Sequence, residues 1–239
     1  MTELVYQGDS YLKEYTATIN AVKGSRVFLD KTIFHPRSGG VENDTGYMVF
    51  NGGMVRVVNV YYDKESGDVA HEVDNASLLP QPGSSVKLVL DWERRYRLMR
   101  LHTAAHILSA IMYTNYNALI TGGNITPEYG YDDYSLTEFS REIFEEAVKK
   151  ANEVAARNIE VKIYWLPREE ALRIPGVIKL ASKMPPEVEK LRIVEIPGVD
   201  IQADGGPHVK STGEIGVIKL LRVENKGKNK KRLYFSVEP

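Results

Sequence analysis

The sequence predicts an α+β protein in two parts: a small β-barrel-like domain over residues 1–90, then an α+β metal-binding domain over residues 91–239. Three observations carry that division. The first part consists of short β-rich runs separated by turn signals, the spacing of a small barrel. From Trp92 onward a long helical pattern begins, and helices and strands then mix. Three of the chain's 5 histidines fall in two short segments of the second part, His102-Thr103-Ala104-Ala105-His106 and Asp204-Gly205-Gly206-Pro207-His208.

The first part reads as strands throughout. Glu14 to Val22 and Arg26 to Asp30 have strand composition. Gly46 to Phe50 and Met54 to Tyr62 flank Asn51-Gly52-Gly53, and Asn-Gly between β-rich runs signals a hairpin. Asp63 to Asp68 is a turn before the strand Val69 to Val73. Pro80 to Ser85 is a connector, and Val86 to Asp91 is one more strand.

The second part opens with a helix from Trp92 to about Tyr113, with Asp91 as its N-cap. Leu98, Leu101, Ala105, Leu108 and Met112 recur at helical spacing and form its core stripe. His102 and His106 lie beside that stripe, at the expected lip of a cleft. Residues 115–136 read as irregular loops and strands. Ser140 to about Arg157 is a second helix, with Glu142, Glu145 and Glu146 early and Lys149, Lys150 and Arg157 late, as the helix dipole favours. Ile159 to Leu166 is a strand, and Pro167 to Ile174 a short helix opened by proline. Leu191 to Ile196 is a strand. Ile215 to Val223 and Arg232 to Val237 form a last hairpin across a basic loop, Glu224 to Lys231.

Bulk properties exclude several classes. With 43% hydrophobic and 26% charged residues, the chain of 239 residues has material for a real core and reads as soluble and globular. No apolar run approaches the ~18 residues that a membrane span needs. The opening MTELVYQGDS has neither a basic nor an apolar signal region, so a cytoplasmic protein is expected. The cysteine count is 0, which removes disulfides and thiolate ligands. A net charge of -1 is no global nucleic-acid signature, so any such argument rests on local patches.

The histidine segments carry the chemistry. Residues four apart on a helix are neighbours, so His102 and His106 present two imidazoles from one face. Asp204 and His208 supply an oxygen and a nitrogen from a chain freed to turn by Gly205 and Gly206. Two helix nitrogens plus this loop pair make a four-ligand site for one divalent metal, with zinc expected. The alternative is a pair of hydrogen-bonded core or cleft histidines.

In this order the motifs resemble those of the alanyl-tRNA synthetase editing domain and its threonyl-tRNA synthetase relative, which pair an HxxxH helix with a downstream CxGxH-type loop. Ser211-Thr212-Gly213-Glu214-Ile215-Gly216 is similar to that family's TGEIG continuation, and Phe34 to Gly46 to its glycine-rich FYPxxGGQxxDxG segment. With no room for an aminoacylation domain, the chain resembles the freestanding alanyl-tRNA editing proteins of the AlaX type. The resemblance implies hydrolysis of the ester in tRNA for alanine mischarged with serine, with glycine a second candidate. It implies tRNA as partner, and substrate contacts from Thr32, Gly39 and Gly40. Two departures stand out: Asp204 replaces the family's cysteine ligand, and Val41 its usual glutamine. Arg94, Arg95, Arg97 and Arg100 on the helix, and Lys226, Lys228, Lys230, Lys231 and Arg232 in the basic loop, are candidate phosphate contacts, the alternative being a solvated helix face and a solvated hairpin turn. Two rival functions keep the same ligands in view: a metal-dependent hydrolase of another ester or amide, and a tRNA-binding module whose editing site has decayed. The sequence names no general base and no oligomeric state.

Overall fold

The computed structural model describes residues 1–178 and 187–239. The chain forms two compact units, Met1–Tyr96 and Arg97–Pro239.

The first unit contains β1 (Glu3–Leu4), β2 (Glu14–Lys23), β3 (Arg26–Leu29), β4 (Lys31–Thr32), β5 (Gly46–Phe50), β6 (Gly53–Tyr62), β7 (Val69–Val73) and β8 (Ser85–Leu90). Six of them close a barrel in the order β2-β3-β7-β6-β5-β8, and β1 pairs in parallel with β4. Alternate side chains point inward, so Ile19, Leu29, Met48, Val57 and Leu88 fill the barrel and are fully buried. The expected hairpin stands: Phe50 pairs with Gly53 across Asn51-Gly52.

Helix α1 (Trp92–Tyr116) begins where Asp91 Oδ1 accepts the Arg94 N–H at 3.2 Å, so Asp91 is the N-cap that its residue type indicates. Its first turn corrects the expectation of a free arginine stripe. Arg95 is fully buried and ion-paired to Asp44; it also donates to the carbonyls of Ser10 (2.8 Å) and Ile33 (2.6 Å). Arg94 donates to the Asn43 carbonyl at 2.8 Å and pairs with Glu42 at 2.9 Å. A buried guanidinium needs compensating acceptors, and the segment around Asp44 supplies them.

In the second unit α1 continues, followed by β9 (Ile120–Ile125), β10 (Gly130–Tyr134), α2 (Arg141–Ala156), β11 (Lys162–Pro167), α3 (Arg168–Leu172), β12 (Lys190–Ile196), β13 (Asp200–Ala203), β14 (Val217–Gly227) and β15 (Lys230–Glu238). One sheet has the order β14-β15-β10-β9 and another β11-β12-β13. Helix α2 buries Phe144, Ala147, Val148, Ala151 and Ala155, one stripe of an amphipathic helix. Asn152 fixes its position by exchanging two hydrogen bonds with the Ile218 backbone, at 2.9 and 2.8 Å.

Two expectations change here. Every residue of α1 from 98 to 112 is buried, so the histidines lie on no exposed lip. The stripe of five was only part of the pattern: Met99, Ala104, Ile107, Ala110 and Ile111 make the other faces apolar too. The basic loop is also largely strand, because β14 and β15 extend until only Lys228 and Asn229 remain between them. Lys231 is 1% exposed and its ammonium caps the carbonyls of Gly227 (2.6 Å) and Lys228 (3.1 Å). Lys230 and Arg232 pair with Asp133, and Lys226 with Glu224. The helix arginines of this unit are likewise engaged: Arg97 donates to the Pro127 carbonyl, and the buried Arg100 to the carbonyls of Ile215 and Glu238.

Candidate metal centre

His102, His106, Asp204 and His208 come together within the second unit, with one ligand atom from each all within 4.8 Å of one another. Both helix histidines and His208 are at most 5% exposed, while the Asp204 side chain retains 18%. The imidazoles pack directly: His102 stacks on His208 at 4.1 Å between centroids, and His106 meets both edge-on.

The hydrogen bonds behind the rings set which nitrogen carries the proton. His102 Nδ1 lies 3.3 Å from the Pro207 carbonyl, and His106 Nδ1 lies 3.0 Å from Asp200 Oδ2. Both partners only accept, so each Nδ1 carries the proton. His208 Nδ1 lies 3.0 Å from the Thr103 hydroxyl, which spends its own proton on the Met99 carbonyl at 3.0 Å. That hydroxyl therefore accepts, and His208 Nδ1 donates. With all three Nδ1 atoms committed outward, the neutral tautomer leaves each Nε2 as a lone-pair donor. The Nε2 atoms of His208 and His102 stand 3.2 and 3.7 Å from Asp204 Oδ1 and Oδ2.

The four groups are electrostatically coupled. Burial lowers the His208 pKa well below that of a free imidazole, and the neighbouring histidines lower it further. Burial alone would raise Asp204, but attraction to His102, His208 and His106 in their protonated forms, with a hydrogen bond from His208, holds it well below the usual carboxylate range. Three neutral imidazoles and one carboxylate are a donor set for a divalent ion, so the residues fit the metal that the HxxxH pattern suggests.

The loop is held from behind. Arg192 on β12 donates one nitrogen to the carbonyls of Asp204 and Gly206, both at 2.9 Å. Gly206 N donates to Asp204 Oδ1 at 2.7 Å. A Cβ on Gly206 would lie 2.6 Å from His102 Cε1, so only glycine fits there. Arg100 ties the Ile215 carbonyl to α1, and Ser211 and Glu214 form a capping box around the turn Thr212–Ile215.

The remaining expected site residues lie in the first unit. Thr32 is completely buried; its hydroxyl lies 2.7 Å from His71 Nε2 and accepts the Phe34 N–H at 3.1 Å. Gly39 and Gly40 occupy the centre of a tight turn closed by Ser38 and Val41, with φ of 60° and 82°. Val41, in place of the glutamine, is 1% exposed.

Sequence reasoning missed Asp200, Gln202, Arg192 and Asp132. Asp132 on β10 is 6% exposed, and burial pushes its carboxyl up to about 7; Tyr134 donates to it at 3.3 Å. A doubled Asp132-Asp133 inside a β-rich run was the available signal, since aspartate is unfavourable in strands.

Comparison with known proteins finds family matches in both units. Residues 191–234 match the Threonyl and Alanyl tRNA synthetase second additional domain, and residues 8–94 match a model of class II (A) tRNA synthetases. The fold and site thus define a protein related to tRNA synthetase domains. An alanyl-tRNA editing protein AlaX-M of Saccharolobus solfataricus is 50% identical over 100% of both chains. An AlaX-M of Methanosarcina mazei is 41% identical over 99% of this chain and 97% of its own. Alanine--tRNA ligase of Archaeoglobus fulgidus is 37% identical over 94% of this chain and 24% of the ligase. The chain belongs to the family of alanyl-tRNA editing proteins of the AlaX type. No helix among the described residues is long and apolar enough to cross a membrane.

Proposed function

We propose that this protein is a trans-editing aminoacyl-tRNA deacylase of the cytoplasm. It hydrolyses the ester of tRNA for alanine wrongly charged with serine, with the glycine-charged tRNA a second candidate. The observation that carries this reading is the convergence of three Nε2 donors and the Asp204 carboxylate in a chain whose relatives are named alanyl-tRNA editing proteins.

His102, His106, Asp204 and His208 would hold one zinc ion, which supplies positive charge to polarise an ester carbonyl or a water. The chain's own part is mostly placement. An aminoacyl ester is already activated, so orientation and stabilisation of the developing oxyanion suffice. The three imidazoles are buried, and Asp204 is the most exposed of the four.

Discrimination belongs to Thr32, with Gly39 and Gly40 offering backbone to the substrate. Serine and alanine differ by one hydroxyl, and a site that hydrogen-bonds a hydroxyl rejects the analogue lacking it by several orders of magnitude. His71 Nδ1 is 3.1 Å from the Val27 carbonyl, so its Nε2 is bare and takes the Thr32 proton. Thr32 can then only accept, and the serine hydroxyl must donate.

The test is hydrolysis of tRNA for alanine charged with serine, glycine or alanine, by the wild type and His102→Ala. Rapid loss of the serine ester, slow loss of the alanine ester and an inert variant support the reading. Equal rates on all three esters, or an active variant, overturn it.

A further inference from the structure

The outer partners of the three histidines differ in kind. His102 backs onto a carbonyl and His208 onto a hydroxyl, but His106 backs onto a carboxylate, Asp200. Asp200 opens β13, and its side chain is fully buried. A buried carboxylate is costly unless its oxygens are bonded. Here Oδ2 accepts from His106 Nδ1 and also from Gln202 Nε2 at 2.9 Å. Gln202 reaches Ser109 Oγ at 3.1 Å, and Ser109 donates to the His106 carbonyl at 2.9 Å. His106, Asp200, Gln202 and Ser109 thus form a closed ring joining one turn of α1 to one edge of β13.

We infer that Asp200 is a positioning residue of the metal centre: acting through His106, it fixes that imidazole and adds a second negative charge to that of Asp204. This rests on the reading of the cluster as a metal site. A carboxylate accepting Nδ1–H fixes the imidazole's tautomer and ring plane and makes Nε2 a stronger donor. Asp204 is a harder, weaker donor toward zinc than a thiolate. Asp204 and Asp200 together carry two negative charges, the number that matches a divalent cation. Gln202 keeps Asp200 from rotating away, and Ser109 keeps Gln202 in place.

The test is competition of a zinc chelator with purified, reconstituted protein. Asp200→Asn keeps the shape and removes the charge, and the inference gives a 10- to 100-fold loss of zinc affinity, the usual cost of an outer partner. Asp200→Glu recovers part of it. His102→Ala separates the two levels. If wild type binds no zinc, or His102→Ala leaves binding unchanged, the metal reading itself fails. If His102→Ala abolishes binding but Asp200→Asn matches wild type, only the role of Asp200 fails. A folding defect in Asp200→Asn is bypassed by imidazole nitrogen NMR on wild type. A His106 proton on Nδ1 with a downfield-shifted resonance supports the inference, and a proton on Nε2 overturns it.

Discussion

The hydroxyl of Thr32 sits 2.7 Å from His71 Nε2 in the barrel unit, and neither residue exposes any surface. The pair gives Thr32, the proposed serine sensor, a structural role as well, and the two roles separate by substitution. Thr32→Val leaves the bare nitrogen of His71 and the Phe34 N–H without their partner, at a cost of about 1–3 kcal/mol in stability. Thr32→Ser keeps the hydroxyl and most of that stability. Denaturant midpoints of both variants check this. Assayed where both are folded, Thr32→Val should lose about 5- to 150-fold on the serine ester and spare the glycine ester. A uniform loss on both esters would leave Thr32 structural only.

His71 also sets a pH dependence. Burial lowers its pKa from 6.5 to about 4. A depressed folded pKa means that the stability is present above about 6.5 and lost as pH falls toward 4, because the unfolded chain takes up the proton first. The loss approaches about 3 kcal/mol across that window. His71→Gln should be less stable than wild type at pH 7 but lose less on acidification. Urea denaturation of both proteins at pH 7 and pH 4.5 measures the difference. Identical pH slopes would show that His71 is not buried neutral.

The basic hairpin divides between architecture and binding. Lys231 caps two carbonyls from a buried position, so Lys231→Met should lower stability by about 1–3 kcal/mol. Lys228, in the turn between the two strands, is the cation of this hairpin proposed to meet phosphate. Lys228→Gln should leave the melting temperature alone and reduce the log-log salt slope of tRNA binding by about 0.7–0.9 if it makes one phosphate contact. A stable Lys231→Met would contradict the capping role, and an unchanged slope would leave Lys228 without a phosphate partner.

Asp204→Cys introduces the ligand type that the motif resemblance implies for the family. Thiolate suits zinc better than carboxylate, so zinc retention against a chelator should rise, while the Arg192 bonds to the loop backbone should hold the fold. Weaker retention would mean that Asp204 does not reach the ion.

The sequence made some of this legible and hid the rest for physical reasons. The barrel strands and their Asn51-Gly52 hairpin followed from β composition and turn chemistry, which act locally. The four clustered residues His102, His106, Asp204 and His208 followed from spacing on one helix and one loop. Asp200, Gln202 and Arg192 were invisible, because their role is decided by contacts with residues 12 to 94 positions away. Arg95 misled for the same reason: on a helix it reads as a solvated cation, yet Asp44, fifty-one positions earlier, takes it inside. The strand Asp200–Ala203 escaped notice because it is short and half polar, and only pairing with β12 makes it a strand.

The central claim is that this cluster makes the protein an editing deacylase. Its most direct measurement is the single-turnover hydrolysis of serine-charged tRNA for alanine by the purified enzyme, before metal removal, after it and after zinc is restored, with His102→Ala alongside. The account predicts a fast reaction that is lost on removal, regained with zinc, and absent in the variant under all conditions. Undiminished hydrolysis by metal-free protein, or by His102→Ala, would contradict it.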